Sequence, residues 1–415
     1  MKLNEEEKAM LAGEFGPLRQ WAIDHQIKVG RYLKAPDFVP VMQAHIMADT
    51  ESLGKAGVEW LEGWTKLPEK ERLVRIPTIT DPRGTDFAAS NRLKQQSWMV
   101  DLERRAISAF ESLGVLMTDT CINYQTIMPP VCGEHTAYGD TGVVIYSNSV
   151  CGARSNFEGG PSALSAGLTG RTPRYGFHLD QHRQATLLVN VNWTPRELNE
   201  WGALGAYIGR LAGDYWQVPA VVGIDHSPTS DEMKHFGAAM ASFGSVALFH
   251  IVGVTPEAPT LKDVAPNAAS LRTYNVTEAD VRGLQASYGG AIDKVDIVVF
   301  SAPQLSLVEL QQISILLEGR KTGIPTLAIT SPQVKPDADR MGITAKIEAS
   351  GASVLSGMCF YQSYAREMAE SNGWKRLATN SAKLTNILGG YGYTPALLSM
   401  EKCIDVACNG GRLGK

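Results

Sequence analysis

The chain is expected to fold as an α/β protein in which several parallel or mixed sheets are flanked by helices. Three observations lead there. From Thr186 to Thr379, short β-branched apolar runs alternate with longer helical stretches, the pattern of strand–crossover–strand units. Some runs, such as Ile297-Val298-Val299-Phe300, are apolar at every position, as strands covered on both faces must be. Polar, cysteine and glycine residues follow the predicted strands repeatedly, at the carboxyl ends where ligands sit in such sheets. A chain of 415 residues with 44% hydrophobic content can bury a large core and divide into more than one unit. It shows no repeat, low-complexity run or long linker, so interwoven subdomains are expected over the whole of 1–415.

Taken in order, Glu5–Leu33 reads as a helix with apolar residues at Met10, Leu11, Leu18, Trp21, Ala22 and Ile27, interrupted at Gly16-Pro17. Val39–Ile46 reads as a strand, followed by a helix through Gly57–Leu61. Arg75–Ile79 is a predicted strand running into the polar turn Thr80–Asp86. Met99–Leu113 is an amphipathic helix, and Val115-Leu116-Met117 a strand leading to Cys121. Val143-Val144-Ile145-Tyr146 is long enough for a buried strand. Thr186–Val191, Val218–Ile224 and Val246–Val252 read as strands, with helices between them, one at Pro195–Leu211. After the strand Ile297–Phe300 come a helix at Leu305–Leu317, a strand at Thr326–Ile329 and a helix at Asp337–Ala349. Strands at Ser353–Leu355 and Arg376–Thr379 and a last helix at Met400–Cys408 complete the pattern.

Composition excludes several function classes. A net charge of -4 with no basic run argues against nucleic acid as a partner. No apolar run is long enough to span a bilayer, and the acidic opening Met1–Glu7 lacks the apolar core of a signal peptide, so a soluble cytoplasmic protein is expected. Six cysteines without a Cys-x-x-Cys pair exclude zinc-ribbon and ferredoxin patterns. No Gly-x-Ser-x-Gly elbow and no Gly-x-Gly-x-x-Gly after a strand is present. His178-Leu179-Asp180-Gln181-His182 pairs two histidines, but lacks the glutamate of zinc proteases and follows the Gly176 turn.

Gly133–Leu179 carries the densest chemistry. Its centre, Ser147 to Ser162, joins small polar residues and glycines to Arg154 and Glu158 with little bulk between them. Such a turn lets backbone approach a small polar ligand, and Arg154 could clamp a carboxylate in a planar fork. An ordinary turn capping the next helix, with Pro161 near its first turn, reads equally well. Lys383 is a second candidate for the clamp, His135 an acid or metal neighbour. Asn148, Ser149, Asn156 and Glu158 are candidate hydrogen-bonders, or partners of the loop itself.

Gly133-Glu134-His135, Ser147–Ser162, Gly170–Leu179 and Thr379-Asn380-Ser381-Ala382-Lys383 resemble the aconitase X family, specifically its large, catalytic subunit. The opening Met1–Glu14, Ala44-His45-Ile46 and Thr120-Cys121 also match. The resemblance implies an aconitase-like fold around a central cleft and a hydro-lyase acting on a small hydroxy acid. The activities it implies are dehydration of cis-3-hydroxy-L-proline to a pyrroline-2-carboxylate, the favoured one, and of phosphomevalonate. A non-catalytic, cluster-free relative that binds a small acid is the other class. It implies an iron–sulfur cluster or a single iron held by cysteines, here Cys121, Cys359 and, less directly, Cys403. It implies a swivelling domain, expected here as a separate small subunit. His135, Lys383 and Ser149 become catalytic candidates, and Arg154, Asn148, Asn156, Glu158, Ser381 and His45 substrate-binding ones. Where many members carry Cys or Ser and then Pro-His, this chain has Ser301-Ala302-Pro303-Gln304, which removes one cysteine position.

Overall fold

The computed structural model describes residues 1–289 and 292–413. Three stretches of chain build the sheets, the first of them a three-stranded sheet with a two-stranded pair beside it. The first contributes β1 (Phe38–Pro40), β2 (Ala44–Ile46), β3 (Thr78–Thr80), β4 (Ala137–Tyr138) and β5 (Arg171–Pro173). β2 lies between β3 and β4, parallel to both, while β1 and β5 pair antiparallel to one side. The second adds β6 (Leu187–Val191), β7 (Pro219–Val222), β8 (His250–Ile251) and β9 (Arg272–Val276), ordered β8-β7-β6-β9. The third adds β10 (Ile297–Leu305), β11 (Thr326–Thr330), β12 (Ser353–Ser356), β13 (Arg376–Thr379) and β14 (Thr394–Leu397), ordered β12-β11-β10-β13-β14. Both of these sheets are parallel throughout. Parallel strands must be covered on both faces, which is why β10 is buried at all nine positions. The expected α/β class is therefore what the chain adopts.

The largest apolar core joins the second sheet to the third and includes Trp201, Phe236, Phe249 and Phe300. Helices Leu198–Ala212 and Ser230–Gly244 cross it in backbone contact. A Cβ at Gly205 would lie 2.1 Å from the Phe236 carbonyl oxygen, so only glycine fits that crossing. Among the described residues no helix is long and apolar enough to cross a membrane.

Several elements differ from the sequence reading. Val143–Tyr146 is not a strand; it lies inside the helix Thr141–Ser149, with the Asp140 side chain accepting from the Val143 N–H at 2.9 Å as N-cap. A run of four apolar residues fits a buried helix face as well as a strand, and the cap decides. Val115–Met117 forms no strand; only Leu116 bridges to Ile79. Val39–Ile46 divides into β1 and β2, which belong to different sheets. Asp337–Ala349 breaks at Gly342, whose φ of 71° ends one helix and opens the next. β10 runs past Phe300 to Leu305, and its register with β11 shifts between those residues. That irregularity frees Ser301–Gln304 from the ladder.

Candidate active site

Carboxyl ends of strands from the first and third sheets meet in one buried polar cluster. His45 lies in β2, Asp81 follows β3, and Asp140 follows β4. Ser301–Gln304 close β10, Cys359 follows β12, and Ser381 and Lys383 follow β13 at the start of the helix Ala382–Leu388. Cys121 arrives on the turn after the Leu116 bridge.

Lys383 is the centre of charge. Its Nζ donates to Asp140 Oδ2 at 3.1 Å with both side chains buried, and it lies 5.6 Å from the Tyr361 ring centroid. Burial opposes the ammonium charge, but the Asp140 carboxylate outweighs it and holds Lys383 protonated. Burial likewise opposes the Asp140 carboxylate, and Lys383 together with the Val143 N–H keeps it ionised. The pair is therefore charged.

The neighbours are neutral. Burial first, then the Asp140 charge, pushes the Asp81 carboxyl well above the usual range. Its Oδ2 accepts from Gln362 Nε2 at 2.7 Å, and its Oδ1 has no hydrogen-bond partner. Burial pulls His45 down; with Nε2 donating to the Thr120 carbonyl at 2.9 Å, Nδ1 is left with a lone pair and no partner. Gln362 Oε1 and Asn380 Nδ2 are also buried without partners. Buried polar atoms are ordinarily satisfied, so these four unpartnered atoms leave hydrogen-bonding capacity open to a polar guest.

Cys121 and Cys359 belong to this cluster. Burial raises both thiols, Cys359 to about 12, and Cys121 also feels the charge of Cys359. Cys403 does not belong. It is buried in the helix Met400–Cys408, and burial alone raises its thiol. An apolar helix face takes a cysteine as a small hydrophobe, which is why that candidate falls away. Among the described residues no three His, Cys, Asp or Glu side chains form a metal-holding group. A cluster bridging three protein thiolates does not fit these residues. Cys121 and Cys359 are the two thiols that would hold an iron centre, since thiolate suits iron.

The loop residues fall into a different arrangement. Parallel bridges pair His135 with Arg154 and Tyr138 with Phe157, so Arg154 and His135 stand at the amino end of β4 and Asp140 at its carboxyl end. Five extended residues separate those ends by roughly 16 Å. Arg154 is thus not at a strand end beside Lys383. It pairs with the exposed Asp180 at 2.5 Å and donates to the His178 carbonyl at 3.2 Å. His135 Nδ1 is 2.9 Å from His178 Nδ1, and burial followed by Arg154 lowers its pKa. Asn148 donates to the carbonyls of Ser155 and Ala247 and accepts from Ser155 N–H. Ser149 Oγ accepts from Phe249 N–H, and Asn156 Oδ1 from Phe177 N–H and the Tyr215 hydroxyl. These polar atoms hold the loop in shape. Glu158 sits beyond them, accepting from Thr172 Oγ1 at 2.7 Å, its carboxyl raised by burial to about 7.

Asp140 was not a candidate from sequence. Asp directly before Thr141-Gly142 and an apolar run is an N-cap signal, and it would have found both the helix and the partner of Lys383.

A polar seam continues outward between the first and third sheets. Ser356 N–H donates to Asp86 Oδ2 at 2.9 Å, Tyr364 N–H to Glu51 Oε2 at 2.6 Å, and Thr50 Oγ1 to Glu103 Oε2 at 2.6 Å. Burial raises Glu51 and Glu103 to about 7 and Asp49 to about 6. Groups that bind protons more tightly when folded stabilise the fold fully below their unfolded pKa near 4 and lose that contribution as pH rises through 6 to 7. Melting temperature is expected to fall as pH is raised from about 4.5 to 7.5, and Glu103→Gln to flatten that slope. A steeper slope in Glu103→Gln would contradict this.

The comparisons agree with this architecture along the whole chain. Family profiles for the Aconitase X first, second and third domains match residues 1–181, 185–286 and 295–409. The phosphomevalonate dehydratase large subunit of Thermococcus kodakarensis is 31% identical over 411 residues, covering 98% of this chain and 100% of that protein. The Pseudomonas aeruginosa cis-3-hydroxy-L-proline dehydratase is 29% identical, and the match covers 99% of this chain but 70% of that protein. A crystal structure of Thermococcus kodakaraensis aconitase X in its holo form superposes with a TM-score of 0.88 at 29% identity, over 98% of this chain. The chain belongs to the aconitase X family.

Proposed function

We propose that this chain is the large subunit of a hydro-lyase that dehydrates a small β-hydroxy carboxylic acid. The observation that carries the reading is the Lys383–Asp140 pair, set among the unpartnered atoms of His45, Asp81, Gln362 and Asn380. Dehydration needs a cation for the carboxylate, a group to take the neighbouring proton and a group to assist the departing hydroxyl. Lys383, held charged, is the cation and not the base. Ser381 orients it by capping its helix, accepting from Leu384 N–H while donating to the Ala302 carbonyl at 2.5 Å. The His45 Nδ1 lone pair is the acceptor for the proton next to the carboxylate, and neutral Asp81 gives its proton to the departing hydroxyl, which leaves as water. Cys121 and Cys359 would hold iron, which when bound would supply a Lewis acid for the departing hydroxyl.

Lys383 is paired with Asp140, and Arg83, beside the Cys359 turn, with Asp119. Lys383 is already assigned to the carboxylate and Arg83 is taken by Asp119, so neither adds a second cation for a phosphate, which favours cis-3-hydroxy-L-proline. The relatives named large subunits act, by name, on phosphomevalonate, so both acids belong in the assay. They also support a separate small subunit as the partner that completes the cleft. Release of pyrroline-2-carboxylate, or of the dehydrated phosphomevalonate, is expected only with that subunit present. Full activity from the chain alone would refute the partner, and turnover of neither acid the activity.

Arg154 gives a separate test. Its fork is occupied by Asp180 and the His178 carbonyl, so Arg154→Lys is expected to change stability by less than about 1 kcal/mol and leave turnover per folded molecule near wild type. A fall of about a hundredfold in kcat at unchanged melting temperature would restore it as a substrate clamp.

A further inference from the structure

Gln304 closes the Ser301-Ala302-Pro303-Gln304 segment of β10, and the fold uses every polar group it has. The side chain is fully buried at the end of β10. Its Oε1 accepts from the Cys121 N–H at 3.3 Å, and its own backbone N–H points to Cys121 Sγ at 3.4 Å. Its Nε2 donates to the carbonyls of Asp119 at 3.1 Å and Met358 at 3.2 Å. Asp119 is two residues before Cys121, and Met358 directly precedes Cys359. One amide therefore grips both cysteine turns, although those turns come from different sheets. From behind, Lys234 Nζ donates to the Gln304 carbonyl at 3.2 Å, and Lys234 is held by Glu309 and Asp231.

We propose that Gln304 is the positioning residue that sets the separation of the Cys121 and Cys359 thiols across the seam, so that both face one thiophilic ligand. The proposal rests on the reading of these thiols as part of the active site. The chemistry requires an amide. Two backbone carbonyls must be met by donors and one N–H by an acceptor, and the glutamine side chain supplies both in one rigid plane. Glutamate has no donor when ionised, methionine fills the space with neither donor nor acceptor, and histidine supplies at most one of each in its neutral form. Arg83 also spans the turns, through Asp119 and the Ser356 carbonyl, but from the partly exposed side. Gln304 acts from between them.

The test uses phenylarsine oxide, which is retained against excess monothiol only when two thiols reach one arsenic. It is run on the folded chain in a Cys132→Ser background, because Cys132 is exposed and lies against Gly152 beside Cys151. Wild-type Gln304 is expected to give stoichiometric capture, reversed by a dithiol and abolished by Cys121→Ser or Cys359→Ser. Gln304→Met is expected to weaken capture about tenfold or more, the usual cost of losing a partner that orients a ligand residue, at a near-UV spectrum matching wild type. If Gln304→Met does not fold, Gln304→His takes its place, with intermediate capture expected. Wild-type capture by a folded Gln304 variant would overturn the proposal, as would failure of the parent chain to capture the arsenical at all. The assay contains no substrate. A chain that captures the arsenical through this pair yet dehydrates neither acid would refute the proposed function and leave the positioning role standing.

Discussion

Lys383→Met is expected to cost about 3–5 kcal/mol of stability, the size seen when one partner of a buried ion pair is removed, and to lower kcat by about a hundredfold or more. Asp140 would be left in a site where burial already opposes its charge, relieved only by a helix N–H and neutral groups. The two losses have different origins, and a second substitution separates them. Asp140→Asn keeps an oxygen for the Val143 cap and removes the stranded charge. The Lys383→Met/Asp140→Asn chain is therefore expected to regain most of the stability and none of the turnover. Melting temperature and steady-state kinetics on one preparation, with the small subunit present, decide the matter. Recovery of turnover in the double variant would mean that Lys383 serves the fold alone.

Lys234→Met is expected to have the second-largest effect, again about 3–5 kcal/mol. Lys234 is buried between Glu309 and Asp231, and its charge is a principal reason that both carboxyls stay low despite burial. Without it Glu309 would keep His235 Nε2 at 2.8 Å and its place in the Ser306 capping box. Those partners do not replace an ammonium. Glu309 would then take up a proton on folding, so the deficit is expected to grow as pH rises. Urea unfolding at pH 6 and pH 8 reads this directly, and an equal deficit at both would argue that lost packing is the cause. Since Lys234 also holds the Gln304 carbonyl, a smaller fall in arsenical capture should accompany it.

Much of this site could be read from residue order because strand ends are legible. His45, Asp81, Cys121, Ser301–Gln304, Cys359 and Lys383 each follow a short β-rich run, and parallel sheets collect such positions by construction. What could not be read was pairing across distance. Lys383 and Asp140 are separated by 243 residues, and no local pattern says that one neutralises the other. Arg154 was misplaced for a local reason: Val143–Tyr146 satisfies a strand and a buried helix equally, and reading it as a strand moved Arg154 to the wrong end of the sheet. Cys403 shows the converse. Its apolar neighbours on one helix face, Met400, Ile404 and Ala407, are all buried with it, and they favour plain packing over ligation. Gln304 was noticed as a departure, but its four bonds exist only once both cysteine turns are in place.

The polar seam has a thermodynamic consequence. Glu51 caps the Tyr364 N–H, Asp86 caps the Ser356 N–H, and Gln95 Nε2 reaches the Ser363 carbonyl at 3.2 Å. Each bond joins residues more than two hundred positions apart, so neither stretch can melt without stranding donors or carboxyl groups of the other in a half-buried surface. The sheets look like separate bodies, but their boundaries are not boundaries of unfolding. Heat should meet residues 1–181 and 295–409 as one cooperative unit, absorbed in a shared calorimetric transition, and a fragment cut between them should show weakened amide protection along the seam that has lost its partners.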